Sequence, residues 1–386
     1  VAAPAPIFTW SGLYVGVNGG GNVVSTGVLT FDDVDLTDTH TVSFVLKSSD
    51  ASADLPGFAE GAGTGAANIG TFALASVSEV PADGNTHGSV GWTFTLDDSN
   101  PVLQSLAVGQ TITQVYTIKV SDGHGGTVTQ DVTITVTGTN DAPVIVAGST
   151  AAVGGVTEDV GVSGGNIATS GTIGFQDLDL IDTHAASFVV KSSTSSGPLP
   201  GFNDDSTYIG TFSLNPVSEN NADTINTGSV GWTFTLDDSN PILQSLAAGE
   251  TITQVYTVKL DDGHGGIVTQ DVTITVTGTN DAPTIMAGST TASGGVTEDV
   301  GVSGGNIATS GTIGFQDLDL IDTHTASFVV KSSASTATLP GFTNGATYIG
   351  TFALNPLSEN SGDTVNTASV GWTFTLDDSN PILQSL

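Results

Sequence analysis

Carboxylates in this chain come in short, regularly spaced groups. Residues 175–184 read FQDLDLIDTH, and the same letters return at 315–324. Asp177 and Asp179, with Asp182 just beyond, lie in one short loop, as do their counterparts Asp317, Asp319 and Asp322. Asp-x-Asp spacing in a loop turns several oxygens to one side. Such an oxygen-only set suits calcium, which takes about six to eight oxygens at roughly 2.3–2.6 Å from carboxylates, amides and carbonyls. Further acids sit at Glu158–Asp159, at Asp97–Asp98 and Asp237–Asp238, and at Asp261–Asp262 within LDDGHGG. Asn140–Asp141 and Asn280–Asp281 lie in the repeated run TGTNDAP. Magnesium fits less well, because it prefers a rigid octahedron and retained water. Zinc would want His or Cys. The chain has no Cys, and His184 and His264 read as isolated turn or surface residues.

The overall charge agrees with a cation-binding role. Asp and Glu number 39 against 5 Lys and Arg, a net charge of −34. Nucleic acid is excluded as a partner, since phosphate contacts need Lys and Arg. An anionic membrane surface would repel the chain. A merely solvated acidic surface is the plain alternative, but the clustering of acids at loop positions favours metal. Without Cys, stability must come from core burial, repetition or metal. No apolar run is long enough for a transmembrane helix.

A tandem repeat positions these acids. GWTFTLDDSNPILQSL stands at 231–246 and 371–386, and with Val102 in place of Ile at 91–106. Trp92, Trp232 and Trp372 therefore recur 140 residues apart. Residues 154–184 return unchanged at 294–324, and TQDVTITVTGTNDAP occupies both 129–143 and 269–283. The chain divides into a divergent segment 1–22, repeat 1 at 23–140, repeat 2 at 141–280 and repeat 3 at 281–386, which stops before its last hairpin.

Strand signals dominate each repeat. SVGWTFTL (229–236) alternates, with Val230, Trp232, Phe234 and Leu236 on one face. TITQVYTVKL (251–260) and IVTQDVTITVTG (267–278) flank the glycine-rich turn DDGHGG. With the candidates at 171–177, 186–192 and 208–214, about seven strands per repeat are expected. The predicted fold is all-β: immunoglobulin-like sandwiches arranged end to end, with Trp232 as a core anchor between sheets. If the strands run up and down, their loops alternate between two ends. The loop 177–184 and the hairpin 261–266 then share the leading end with Asn140–Asp141. Glu158–Asp159 and Asp237–Asp238 share the trailing end with Asn280–Asp281. Each joint is expected to gather acids from both neighbouring repeats.

LDDSNP, VKLDDGHGG, TITVTGTNDAP and the following DLDLID stand in an order that resembles the calcium-ligand order of cadherin repeats. The unit over 23–386 resembles more specifically the VCBS repeat of large bacterial surface and biofilm adhesins. That resemblance implies a cadherin-like sandwich, Ca2+ at the joints, an extracellular or cell-surface location, and a role in adhesion. Two departures stand out: repeat 1 has no acid matching Glu158, and repeat 3 has no hairpin acid matching Asp262. Residues 1–20, through the run FTWSGLYVGVNGGG, resemble the first strand of alphaproteobacterial outer-membrane β-barrels. Here that segment is expected to supply only a strand of repeat 1.

These features favour a calcium-stiffened stalk or spacer whose partners are neighbouring repeats and an unidentified surface receptor, glycan or matrix component. The alternative is a carbohydrate- or protein-binding module acting through variable loops such as 193–207. An enzyme is not expected. Asp237 and Asp238 are adjacent on a strand and point to opposite faces, so they make no glycosidase dyad. No Ser-His-Asp order or phosphate loop stands out.

Overall fold

The computed structural model describes residues 21–386 except 36, 63–66, 81–85, 221–225 and 361–365. The barrel-like run at 8–21, with Tyr14 and Val15 at the positions of Glu158 and Asp159, lies almost wholly outside the described residues. Strands take 49% of the residues and helices 4%, so the architecture is all-β. Among the described residues, no helix is long and apolar enough to cross a membrane.

Repeat 1 contains β1 (Asn22–Asp33), β2 (Thr41–Ala51), β3 (Gly61–Ala62), β4 (Thr71–Leu74), β5 (Ser78–Val80), β6 (Thr86–Asp97), β7 (Thr111–Ser121) and β8 (Thr127–Thr137). One sheet runs β1-β6-β4 with β5 also on β6, and the other runs β3-β2-β7-β8. Repeat 2 contains β9 (Val144–Ile145), β10 (Val153–Thr157), β11 (Asn166–Gln176), β12 (Ala185–Ser195), β13 (Thr211–Leu214), β14 (Ser218–Asn220), β15 (Thr227–Asp237), β16 (Thr251–Asp261) and β17 (Ile267–Thr277). Its sheets run β13-β15-β11-β9, with β14 on β15, and β10-β17-β16-β12. The short β9 and β14 bring the number above the seven read from the sequence. One pairing is parallel, β10 on β17 from Val153↔Thr273 to Thr157↔Thr277.

The core of repeat 2 follows the alternation of β15. Trp232 and Phe234 are fully buried, facing Ile252, Tyr256 and Ile274 of the opposite sheet within one apolar cluster. Aromatic stacking carries contact across the sandwich: Phe212 lies between Trp232, at 5.9 Å between centroids, and Tyr256, at 4.3 Å. The Trp232 indole Nε1 donates to the Ala151 carbonyl at 2.8 Å, so burial leaves no orphaned donor. Gly171 faces this ring, and a Cβ there would sit 2.5 Å from the indole Cζ2. The same core recurs in repeat 1 around Trp92, Phe94, Ile112 and Tyr116.

Repeat 3 is different. It contains β18 (Thr284–Ile285), β19 (Asn306–Gln316), β20 (Thr351–Leu354), β21 (Ser358–Asn360) and β22 (Thr367–Asp377), all in a single sheet. Residues 293–297 and 325–335 correspond to β10 and β12 but form no strand. Their ladder partners in repeat 2 are β17 and β16, whose equivalents would lie beyond Leu386. A strand is defined by its partner's backbone groups, so sequence identity does not suffice to form one.

Candidate metal centre

At the first joint, three segments meet. The backbone N–H of Asp141 donates to Asp179 Oδ2 at 2.7 Å, and the Asn140 amide donates to Asp262 Oδ2 at 2.9 Å. Joint, β11–β12 loop and β16–β17 hairpin are thereby tied together. Within the loop, the N–H of Asp179 donates to Asp177 Oδ1 at 2.9 Å. Within the hairpin, Asp262 Oδ1 accepts the N–H groups of His264 and Gly266 at 2.7 and 2.9 Å. Gly263 and Gly265 have φ of 78° and 110°, which favours glycine and explains the spelling of the turn. Asp177, Asp179, Asp182 and Asp262 are all buried.

This concentration of buried carboxylates perturbs their ionisation. Burial pushes the Asp179 carboxyl up to about 8, partly opposed by the Asp141 N–H, with repulsion from Asp141, Asp182 and Asp177 adding to it. Asp141 is raised by burial and by the charges of Asp177 and Asp98. The last of these couples the trailing end of repeat 1 to the joint. Asp182 is raised by burial, against the favourable contact with His264. Asp262 is the exception: burial opposes ionisation, but the Asn140 amide and the turn N–H groups outweigh it and lower the pKa.

The second joint repeats the plan and adds acids from repeat 2. The N–H of Asp281 donates to Asp319 Oδ2 at 2.8 Å, and that of Asp319 to Asp317 Oδ1 at 3.0 Å. On the trailing end of repeat 2, buried Glu158 accepts from the Gln244 amide at 2.6 Å and from the Thr279 N–H at 3.0 Å. Asp159, at φ 59°, donates its N–H to Asp238 Oδ1 at 3.1 Å. Burial pushes Glu158 up to about 7, and Asp281, Asp159 and Asp319 repel it as well. Asp281 is raised by burial, then by Asp159 and Asp317. Asp319 is pushed up to about 6 by burial, then by Asp322, Asp281 and Asp317. Acids of repeat 2, the joint and repeat 3 thus share one electrostatic environment.

Other candidate residues stand apart. Asp97 and Asp237 are exposed, and each spends one oxygen on the N–H and hydroxyl of Ser99 or Ser239. Asp322 is not among these: its N–H donates to the Asp319 carbonyl and its charge raises Asp319, whereas the exposed Asn280 amide donates to the Asp281 carbonyl.

The histidines need a correction: neither is isolated. The His184 side chain is fully buried, with Nε2 2.9 Å from Asp177 Oδ2 and Nδ1 2.7 Å from Glu219 Oε1. Both ring nitrogens face carboxylates, which only the imidazolium satisfies as a double donor. Burial disfavours that charge, but the bonds to Asp177 and Glu219 hold the pKa above its ordinary value. His324 repeats the bridge between Asp317 and Glu359. His264 Nδ1 lies 3.1 Å from Asp182 Oδ2. His184 and His324 orient carboxylates and neutralise part of their charge, whereas His264 is an exposed turn residue beside Asp182, in keeping with the sequence reading of a turn or surface residue.

A further acidic group lies at the leading end of repeat 1. Asp33, Asp38 and Asp122 bring one oxygen each within 4.8 Å of one another. They are the counterparts of Asp177, Asp182 and Asp262. Aligning FDDVDLTDTH (31–40) with FQDLDLIDTH would have found Asp33 and Asp38, and aligning SDGHGG with DDGHGG would have found Asp122.

Orphaned oxygens test the fit to a cation. At the first joint, Asn140 Oδ1, Asp179 Oδ1 and Asp182 Oδ1 are buried with no hydrogen-bond partner, as are Asp281 Oδ2 and Asp319 Oδ1 at the second. A buried carboxylate oxygen without a donor is costly. The donor set is wholly oxygen, mostly carboxylate and set in loops, which fits calcium. The variable loop of repeat 2 spends its acids locally: Asp204 and Asp205 accept from the N–H groups of Ser195 and Ser193.

No protein-family model and no curated protein matches the chain. Similar solved structures include CfaE, the adhesive subunit of the CFA/I fimbria of enterotoxigenic Escherichia coli, at 10% identity and TM-score 0.32, over 68% of this chain and 81% of that one. PcdhgB3 EC1-4 is similar at 13% identity and TM-score 0.30, over 92% of this chain and 74% of that one. The CupB6 tip adhesin of Pseudomonas aeruginosa is similar at 9% identity and TM-score 0.25, over 69% of this chain and 93% of that one. The sandwich assignment itself rests on the chain's own strand pairing.

Proposed function

We propose that this chain is a stalk or spacer segment of a bacterial surface or secreted adhesin of the VCBS-repeat kind, stiffened by calcium at its joints and serving cell adhesion or biofilm formation. The observation that carries this reading is the set of buried, donorless oxygens on Asn140, Asp179 and Asp182, matched by Asp281 and Asp319. At the first joint the ion would be held by Asn140, Asp141, Asp177, Asp179, Asp182 and Asp262. At the second it would be held by Glu158, Asp159, Asp238, Asp281, Asp317 and Asp319. Calcium supplies positive charge and no reaction chemistry. At the second joint the ligands come from both neighbouring repeats and from the joint between them, so occupancy there favours one inter-repeat angle over the many that a short linker allows. Isothermal titration of the chelator-stripped chain with calcium tests this. Saturable heat is expected, with loss of affinity on acidification. Absence of calcium binding would leave the acids as a solubility device. Calcium-dependent capture of a glycan without any change in stiffness would favour the binding-module alternative.

A further inference from the structure

Two asparagines lie against the acidic loops without belonging to them. Asn226 stands just before β15 and Asn366 just before β22, and both are 0% exposed. The N–H of Asp177 donates to the Asn226 carbonyl at 3.3 Å, and the Asn226 amide donates to the Asp182 carbonyl at 2.9 Å. Asn226 therefore spans the loop that carries Asp177, Asp179 and Asp182. Asn366 does the same in repeat 3. Its carbonyl accepts from the Asp317 N–H at 3.4 Å, and its amide donates to the carbonyls of Asp322 at 2.9 Å and Asp319 at 3.5 Å.

These contacts fix which end of each side chain is free. Exchanging the amide nitrogen and oxygen would set Oδ1 against a carbonyl oxygen, so the nitrogen must face Asp182 or Asp322. Oδ1 is then the free atom, and in both residues it is buried without a hydrogen-bond partner. In the same loops Asp179 Oδ1, Asp182 Oδ1 and Asp319 Oδ1 are buried and unpartnered too. A buried acceptor left in this state is costly and calls for a donor or a cation. Repeat 1 supplies a contrast. There the ladder runs on through Asp33↔Thr86. In repeat 2 it stops at Gln176↔Thr227, one residue short, and Asn226 turns to φ 28°. The strand pair itself thus has no need of an asparagine.

On the calcium reading proposed above, we infer that Asn226 and Asn366 each complete a joint cation site with a neutral oxygen, Oδ1, delivered from just ahead of β15 or β22. The first joint already gathers five carboxylates: Asp141, Asp177, Asp179, Asp182 and Asp262. Another would add repulsion, whereas an amide oxygen adds coordination without charge. Ligand charge and site rigidity both tune calcium affinity. Asn226 contributes to rigidity as well, because its two hydrogen bonds hold the acid loop at a fixed span.

Terbium takes the same oxygen ligands as calcium, and its luminescence lifetimes in H2O and D2O count the waters bound to the ion. The full chain, stripped with chelator and loaded with terbium, is compared with a chain carrying Asn226→Ala and Asn366→Ala. Each lost protein oxygen is expected to be replaced by about one more water per ion. Calcium affinity in calorimetry should fall about tenfold or more. Affinity alone does not separate a ligand from a support, since losing a supporting residue weakens a metal site as well. A chain with Asn226→Asp and Asn366→Asp keeps an oxygen and loses the donor, and it serves also where the alanine chain folds poorly. Its water number is expected to match that of the unaltered chain. An unchanged water number in the alanine variant overturns the inference and leaves both asparagines as loop supports. An aspartate variant that carries the extra water overturns it too. An unaltered chain that binds neither terbium nor calcium overturns it together with the calcium reading.

Discussion

Asp179 opposes folding without metal and, under the proposed calcium binding, would support it with metal. Its carboxyl is raised to about 8 from 3.8 by burial, so the metal-free folded chain holds a proton that the unfolded chain releases above about pH 4. The folded state then binds more protons than the unfolded, and this group's contribution to stability falls as pH rises from about 4 through about 8. Glu158, raised to about 7, acts in the same direction. Calcium binding requires both to be ionised and reverses the trend. Melting temperatures in chelator and in calcium, measured from about pH 5 to pH 8, should therefore slope in opposite senses. Asp179→Asn keeps the shape and takes away the ionisable group. It should stabilise the metal-free chain by about 1–3 kcal/mol, the scale of an unsatisfied buried group, and destabilise the calcium-loaded one. Destabilisation in both conditions would point to a purely structural carboxylate. Asp317→Ala with Asp319→Ala should abolish calcium heat from the second joint and leave that of the first unchanged in titration calorimetry.

At the scale of the element, β15 and β22 form a natural control. From Gly231 and Gly371 onward the two sequences are the same through 246 and 386. Trp232 is 0% exposed and Trp372 6%, and the apolar cluster around β22 reduces to Ile307, Leu376 and Leu383 with a few partly buried neighbours. Hydrogen exchange should show slow amides in β15 and faster ones in β22. Equal protection would mean that β22 gains its stability from something other than a second sheet. Trp232→Ala should cost about 3–5 kcal/mol, as large core truncations do, and Trp372→Ala less. Both effects are readable in denaturant unfolding of the full chain. Calcium stoichiometry at the first joint should not change in either variant, because the indoles bond the carbonyls of Ala151 and Thr291 and stack on Phe212 and Phe352, none of them a candidate ligand.

For the whole molecule, the relevant quantity is the angle between repeats. A net charge of −34 makes neighbouring units repel, and the acids converge on the joints where repulsion is greatest. Calcium bound as proposed would remove that repulsion locally, whereas salt only screens it, over about 8 Å at physiological ionic strength. Small-angle scattering should give a longer, narrower distribution of dimensions in calcium than in chelator. Added monovalent salt should not reproduce the calcium result. Identical maximum dimensions with and without calcium would separate ion binding from stiffening.

Much of this was legible locally. The alternation in SVGWTFTL names the buried face of β15, because successive side chains on a strand point to opposite sides. The glycines of DDGHGG announce a hairpin turn, because only that backbone tolerates the required angles. Up-and-down strand order suffices to send the 177–184 loop and the 262–266 turn to the same end, beside Asn140. Other features depended on the assembled fold. The parallel contact of β10 with β17 joins segments more than a hundred residues apart and has no local signature. His184 looked solitary in sequence, yet folding places it between Asp177 and Glu219, which is 35 residues away. Asp97 and Asp237 carry the same letters as their neighbours Asp98 and Asp238, but the turn that follows draws their oxygens to Ser99 and Ser239. Residues 325–335 spell nearly the same strand as β12 and form none. Periodicity decides which side of a segment is apolar, a property of the segment alone. A ladder, a bridged histidine or a filled core needs a second surface at the right distance, and only the tertiary structure decides whether that surface is there.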